Sequence, residues 1–275
     1  MTASYPIVVD AAKRSRLPDA GELWHYRSLI RLLAARDVKL RFRQTRFGAA
    51  WLVVNPLLFT VAYAFLFGGI GNIKVQGHNY FVFTYVGMSL WTAFNSVFTR
   101  TCNCLLSNRE LLTHAYFPRL SVPLASATAT QVDVLISWGI LLILLLADGT
   151  NLTPRLALVP VWFLLGQVMA TALGMLIASW TVAFRDLQNI TGIVLAAGPI
   201  ITPVAYPASA LPNKAHFLAT INPLTPLFDG MRASALGGVW PSTGALVYAV
   251  IATLGLSLMS LTVFRQAERR LADVI

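Results

Sequence analysis

Residues 34–69 read AARDVKLRFRQTRFGAAWLVVNPLLFTVAYAFLFGG. Five cations fall within the first thirteen positions, and an apolar, aromatic-rich run with no further charge follows at once. A helix crossing the hydrocarbon core needs about 20 mostly apolar residues, and this run supplies them. Cations stacked against its start hold that end at an anionic leaflet, each contributing on the order of 1 kcal/mol. The stretch reads as the border between an interfacial segment and a first membrane crossing.

Composition agrees. The 275 residues are 56% hydrophobic and 12% charged, where a soluble domain carries about 25% charged residues. A net charge of +10 would suit nucleic acid only on a polar, solvated surface, which this chain lacks. No nucleic-acid partner is expected. The polar first residues have no short apolar core before a cleavage site, so no secretory leader is expected. Cys102 and Cys104 read as two buried thiols. His25, His78, His114 and His216 are too scattered for a metal site.

Six apolar runs are long enough to cross: 47–70, 81–105, 120–147, 156–184, 187–206 and 243–264. They are continuous rather than alternating, which predicts helices. Of the 21 Lys and Arg, all but Lys74, Arg155, Lys214 and Arg232 then fall on one side. The inside excess of Lys and Arg puts both termini in the cytoplasm. The predicted fold is an all-α integral membrane protein with six transmembrane helices. It divides into a flexible cytoplasmic N-terminus (1–21), an interfacial amphipathic helix (22–46), a six-helix domain (47–264) and a cytoplasmic tail (265–275).

On a helix over 23–46, Leu23, Tyr26, Leu29, Ile30, Leu33 and Leu40 share one side. Arg36, Lys39, Arg43 and Arg46 share another. That pattern suits a helix lying in the headgroup layer. Its basic face is either an anchor alone or a contact for a partner or an anionic headgroup. The inner loop LLSNRELLTHAYFPRLSVPL, residues 105–124, predicts a short helix from Asn108 to Tyr116. Ser107 or Asn108 is its cap, Glu110 lies in its first turn, and Pro118 stops it. Leu111, Leu112, Tyr116 and Phe117 give the loop an apolar face, for docking or for packing on the protein's own inner ends.

Together these stretches carry a resemblance. Arg36-Asp37-Val38-Lys39, Gln44 with Gly48-Ala49-Ala50-Trp51, Asn55-Pro56-Leu57, Tyr116-Phe117-Pro118-Arg119 and Asn222-Pro223 occur in an order similar to that of the membrane subunits of bacterial ABC-2 type polysaccharide exporters. These export O-antigen, teichoic acid, capsule or galactan precursors, and the resemblance runs from about Glu22 to the tail. It implies a multi-pass permease of the bacterial cytoplasmic (inner) membrane, working as a homodimer on two copies of a separate ATPase. The substrate is a lipid-linked polysaccharide among membrane lipids. ATP and Mg would be bound by the partner chain and no cofactor by this one, which has no GxxxxGK[ST] phosphate loop. The family's coupling helix maps onto 108–117, including Asn108, Glu110, Leu111, Leu112, His114, Tyr116 and Phe117. Arg185 and Asp186 in the next inner loop are a second candidate contact. Arg36, Lys39, Arg43 and Arg46 are the candidates for admitting a lipid headgroup.

The fifth run holds Gly198-Pro199 and Pro203, so it should kink. Residues 210–241 are too broken to span and too apolar for a free loop. Two short helices at the outer face, 214–221 and 224–235, are predicted, and in the family such helices act as a gate. Asp229 and Arg232 are spaced to pair. Aromatics recur at helical spacing as Phe59, Tyr63 and Phe67, and again as Trp91, Phe94 and Phe98. They are either packing or the weak, repeated contacts of a polymer conduit. Asp133 lies about 20 Å along the third run, where a charge costs roughly 2.5–3.5 kcal/mol. It must be paired, protonated or facing water, and it is a further conduit candidate. Arg100 is its nearest cation by depth. Two other readings are a drug or lipid exporter of the same type and a proton-coupled secondary transporter. The second should show interrupted helices in both halves, but only the C-terminal half is interrupted.

Overall fold

The computed structural model describes residues 20–43, 50–73, 75, 77–114, 117–181, 184, 186–212 and 216–274, and among them there is helix but no strand. A short α1 (Ala20–His25) leads into α2 (Arg27–Arg43). The helix α3 (Ala50–Tyr63) continues through a π-helical segment to Ile70, and α4 (Tyr80–Ser107) returns. After the short α5 (Arg109–His114), α6 (Ser121–Ala129) and α7 (Gln131–Ala147) cross as one broken helix. Then come α8 (Val159–Thr181), α9 (Leu187–Ile201), α10 (His216–Ile221), α11 (Thr225–Leu236) and α12 (Thr243–Val274).

Among the described residues, five helices are long and apolar enough to cross a membrane: Ala50–Ile70, Tyr80–Ser107, Ser121–Ala147, Pro154–Thr181 and Thr243–Glu268. The expected fifth crossing differs. Its helix is the 15-residue α9, about 22 Å of rise against a hydrocarbon core of about 30 Å. Pro199 and Pro203 are the reason, since each lacks the amide a helix needs. Beyond Thr202 the chain turns in a non-helical loop to Pro207.

The hub is α4. It carries a buried row of Tyr85, Met88, Leu90, Trp91, Phe94, Val97 and Phe98, and it packs against α8, α6, α3, α7 and α11. Close approach depends on glycine at two places. A Cβ on Gly87 would stand 1.9 Å from the Val204 carbonyl oxygen, and one on Gly198 would stand 2.1 Å from the Trp91 ring. A smaller apolar cluster closes the end that carries α5. Leu105, Leu120, Met175 and Phe264 are buried there beside Cys104, and both cysteines are free thiols.

At the opposite end the broken backbone after α9 is satisfied piece by piece, as apolar surroundings require. Arg232 on α11 donates to the Pro203 carbonyl at 2.8 Å and to that of Val204 at 2.6 Å. The Tyr80 hydroxyl donates to Ala205 at 2.8 Å, and the Asn222 amide donates to the Thr202 hydroxyl at 2.9 Å. Arg232 lies over the Phe83 ring, 4.3 Å from its centre, and pairs with Asp229 at 3.6 Å as the spacing predicted. Burial pushes the Asp229 carboxyl above its ordinary range, and Arg232 pulls it back. The helices α10 and α11 occupy the predicted region, and α11 ends at Gly237 in the left-handed conformation, φ 72°. His78 joins the loops of this end, with Nδ1 3.1 Å from Asp148 and Nε2 2.9 Å from the Leu236 carbonyl.

Arg232→Leu leaves two carbonyls without a donor and Asp229 without a countercharge. It should cost about 2–4 kcal/mol, read as a lower melting temperature in nanodiscs. Gly87→Ala displaces the same turn. The double variant should therefore lose less than the sum of the two; strict additivity would show that the turn and Arg232 are independent.

Candidate functional site

Asp133 organises the polar interior. Helix α6 stops at Thr130, whose hydroxyl donates to the Ala127 carbonyl at 2.6 Å. Helix α7 then starts with Asp133 in its first turn. The break thus gives the carboxylate the positive end of a helix within the membrane. The cation that meets it comes from the interfacial helix. Arg41 on α2 donates to both carboxylate oxygens, at 2.6 and 2.7 Å, and the Ser96 hydroxyl of α4 donates at 2.8 Å. Arg100, expected as the partner by depth, is not bonded to Asp133. Depth along separate spans says nothing about a side chain reaching in from α2.

Arg41 reaches Asp133 because α2 packs against α6. Leu33 and Ala34 are buried, and α6 carries the small buried residues Ser121, Ala125 and Ser126. Leu40, assigned to the apolar side, is exposed, as is Leu32. The helix is therefore docked on the bundle along a narrower stripe than its pattern suggested. Arg36 does not simply face headgroups. It bonds Asp37 at 2.9 Å and also donates to the Asn108 side-chain oxygen. Asn108 in turn donates to the Cys104 carbonyl at 2.9 Å. It is a clasp between α2 and the end of α4. One residue of the expected headgroup set and one of the expected coupling set are thus in contact.

The remaining candidates fall as follows. Lys39 is exposed, Glu110 is exposed and Leu111 half-buried on α5, Phe117 is half-buried, and Asp186 is exposed just before α9. Arg46, Tyr116 and Arg185 lie outside the described residues. For Arg43, Leu112 and His114 only the backbone is described. Phe59 is exposed on α3, and Tyr63 stacks on Phe67 at 6.1 Å, with Phe67 5.1 Å from Tyr206. The second aromatic set is in the core. Trp91, Phe94 and Phe98 are 5%, 5% and 8% exposed and stack in sequence at 5.6 and 6.2 Å. Those rings face α4's neighbours, and no open surface is left on them for a conduit.

The other face of α4 is polar. Thr92, Asn95, Ser96, Thr99, Arg100 and Asn103 repeat at helical spacing along it. Thr99 donates to Asn95 at 3.0 Å, and Gln188 of α9 donates to Asn103 at 2.7 Å. Two contiguous hollows open on this face. One, of about 360 Å³, lies among Arg41, Asn55, Phe59, Asn95, Ser96 and Asp133. The other, of about 460 Å³, lies among Arg36, Asp37, Asn103, Ser107 and Asn108. Arg41, Thr99 and Arg100 border both. Among the described residues no group of three or more His, Cys, Asp or Glu is placed to hold a metal ion. The arrangement offers hydroxyls, amides and guanidinium groups inside an apolar bundle, a lining for a polar solute.

The sequence profile of the ABC-2 type transporter family matches residues 28–236. The O-antigen export system permease protein RfbA of Klebsiella pneumoniae is 26% identical over 257 residues, 90% of this chain and 95% of that protein. RfbA of Myxococcus xanthus is 29% identical over 214 residues, 77% of this chain and 82% of that one. The capsule polysaccharide export inner-membrane protein CtrC of Neisseria meningitidis is 21% identical over 242 residues, 86% and 89% of the two chains.

Asp133→Leu strands the Arg41 guanidinium in the bundle. The pair is partly exposed, so the expected loss is roughly 1–3 kcal/mol. Adding Arg41→Leu should recover part of it, giving a coupling of about 1 kcal/mol or more in a thermal double-mutant cycle. A coupling near zero would mean that the ion pair does not hold α2 to the bundle.

Proposed function

This chain belongs to the ABC-2 type transporter family, and on that premise we propose that it is the permease subunit of an ATP-driven exporter for a lipid-linked polysaccharide, spanning the bacterial inner membrane many times. The observation that carries the reading is the match, over 90% and 77% of the chain, to permeases named for O-antigen export. The polar face of α4, held open inside an apolar bundle, supports it. A carrier of sugar polymer needs many weak polar contacts rather than one tight site, and amides and hydroxyls at helical spacing are of that kind.

In this reading the chain crosses six times with both termini in the cytoplasm. The fifth crossing combines α9 with the turn over 202–206. The working unit pairs two copies of the chain, with two ATPase subunits binding ATP and Mg beneath them. Helix α5 takes the push of the ATPase, with Glu110 and Leu111 on its open side, and the loop at Asp186 is a second contact. From α5 the push has a physical route: Asn108 to Arg36, along α2, and from Arg41 to Asp133 at the break between α6 and α7. Moving that break shifts the polar face of α4 and the aromatic row Phe59, Tyr63 and Phe67 on α3. At the far end α10 and α11 serve as the exit gate, hinged on the turn that Arg232 holds. The basic residues of α2 and the segment after it, Arg36, Lys39, Arg43 and Arg46, meet the anionic headgroup at the inner leaflet.

Leu111→Asp should leave membrane insertion intact and lower both glycan export and copurification with the ATPase by about tenfold, since an apolar docking face tolerates a charge poorly. Labelled-glycan export in cells and ATPase recovery on an affinity-tagged chain measure the two. Unchanged export with unchanged recovery would remove α5 from the coupling role. Glutamine at Arg36, Lys39, Arg43 and Arg46 together should reduce export without reducing assembly. Export at the normal level would show that headgroups are admitted elsewhere.

A further inference from the structure

Three segments at the end opposite α5 meet on one imidazole. His78 stands in the loop before α4, with Nδ1 3.1 Å from the Asp148 carboxylate and Nε2 2.9 Å from the Leu236 carbonyl. Asp148 caps the C-terminal end of α7, and Leu236 is the last residue of α11. The Leu236 carbonyl is among the four that a helix leaves without an internal partner. Both acceptors thus lie at the negative ends of helices, which favour a cation. The carboxylate is fixed in place, since the Thr150 hydroxyl donates to it at 3.1 Å and the Asn79 amide at 3.3 Å. Other charged and titratable groups on the surrounding elements turn elsewhere. Tyr80 bonds Ala205, Arg232 bonds the turn after α9 and pairs with Asp229, and Arg155 lies over the Trp240 ring. The imidazole and the carboxylate keep 20% and 11% of their side-chain surface open, so protons reach them from water.

Only the imidazolium carries an N–H on both ring nitrogens. The neutral ring has one N–H for two acceptors. A hydrogen bond to a carboxylate is about twice as strong as one to a neutral carbonyl. The neutral ring therefore keeps Nδ1–H on Asp148 and turns the Nε2 lone pair toward the Leu236 carbonyl, which it repels. We propose that His78 is a proton-operated latch on α11. Charged, it ties the end of that helix to the segments before α4 and after α7; neutral, it lets that end go. Histidine is the side chain whose charge ordinarily changes between about pH 5 and pH 8. The sign follows from the chemistry: the tie is complete on the acid side and is lost as pH rises. The latch stands on this geometry, whereas its effect on export rests on the reading of α11 as part of an exit gate.

The test is amide hydrogen exchange of the full chain in nanodiscs at about pH 5.5 and about pH 8, corrected for the intrinsic pH dependence of exchange. Residues 233–236 should be protected about fivefold more at the lower pH, the worth of one net hydrogen bond. His78→Gln should show no such difference, and His216→Gln on α10 should keep all of it. Asp148→Asn makes both acceptors neutral, so the difference should fall below about twofold. A wild-type chain with equal protection at both pH values, or a His78→Gln chain that keeps the difference, overturns the latch. Should His78→Gln not assemble, Asp148→Asn decides, and a full response there overturns it. In cells, the ratio of glycan export by His78→Gln to that by wild type should exceed one with the medium at about pH 5.5 and fall toward one at about pH 8. A ratio that does not change, with the exchange difference intact, overturns the latch's hold on export. Absence of glycan export by the wild-type chain defeats the exporter reading alone and leaves the exchange result standing.

Discussion

A carboxylate within the bilayer must be neutralised, and in this chain the neutralising cation sits on another helix altogether. Asp133 belongs to the third crossing and Arg41 to the interfacial helix, and the two meet at 2.6 Å. Neither location is comfortable alone. The break at Thr130 supplies a helix N-terminus, Ser96 supplies a hydroxyl, and the packing of Leu33 and Ala34 on α6 brings Arg41 to the right depth. The interfacial helix is therefore part of the transmembrane bundle. Removing the pair would free α2 to lie flat at the headgroups, where its pattern alone would put it.

The same rule explains the opposite end. Proline stops α9 short, and the freed carbonyls at Pro203, Val204 and Ala205 need donors where water is scarce. Arg232 and Tyr80 provide them, and Gly87 leaves room for the turn to come close. In both places, then, an arginine from a non-spanning helix meets polar groups at a break in the bundle's apolar helices.

Most of the architecture was legible because it follows from one-dimensional signals. Run length located five of the six expected crossings within a few residues, and the prolines of 198–207 announced the interruption. The short helices α10 and α11 followed from a stretch too broken to span. Less of the site was legible. Phe59, Tyr63 and Phe67 kept an accessible face, while Trp91, Phe94 and Phe98 proved to be core, since aromatic spacing alone does not tell which side of a helix meets its neighbours. The polar repeat at Thr92, Asn95, Ser96, Thr99 and Asn103 was the better signal. Polar residues in an apolar run are costly, and their shared face marks the side turned away from lipid. Arg41 was passed over because a period of three or four selected Arg36, Lys39 and Arg43 as one face. A long side chain bends away from the direction its Cα suggests, so periodicity could not assign its partner.

These contacts form one mechanical chain. Asn108 is joined to the end of α4 through the Cys104 carbonyl and to α2 through Arg36. Thirteen residues separate Asn108 from Asn95 along α4, and five separate Arg36 from Arg41 along α2. A displacement at α5 therefore reaches the polar face by two routes, directly along α4 and indirectly through α2 to Asp133. Two rigid helices pinned at both ends cannot slide independently. If α5 moves, either the Arg41–Asp133 pair stretches or the break at Thr130 flexes. The break is held by longer backbone bonds, 3.3 Å from Val134 and 3.0 Å from Asp133 to the Thr130 carbonyl, whereas the ion pair has two short bonds to lose. The flexing thus falls on Thr130, which places the moving part of the bundle beside the hollow that Arg100 faces.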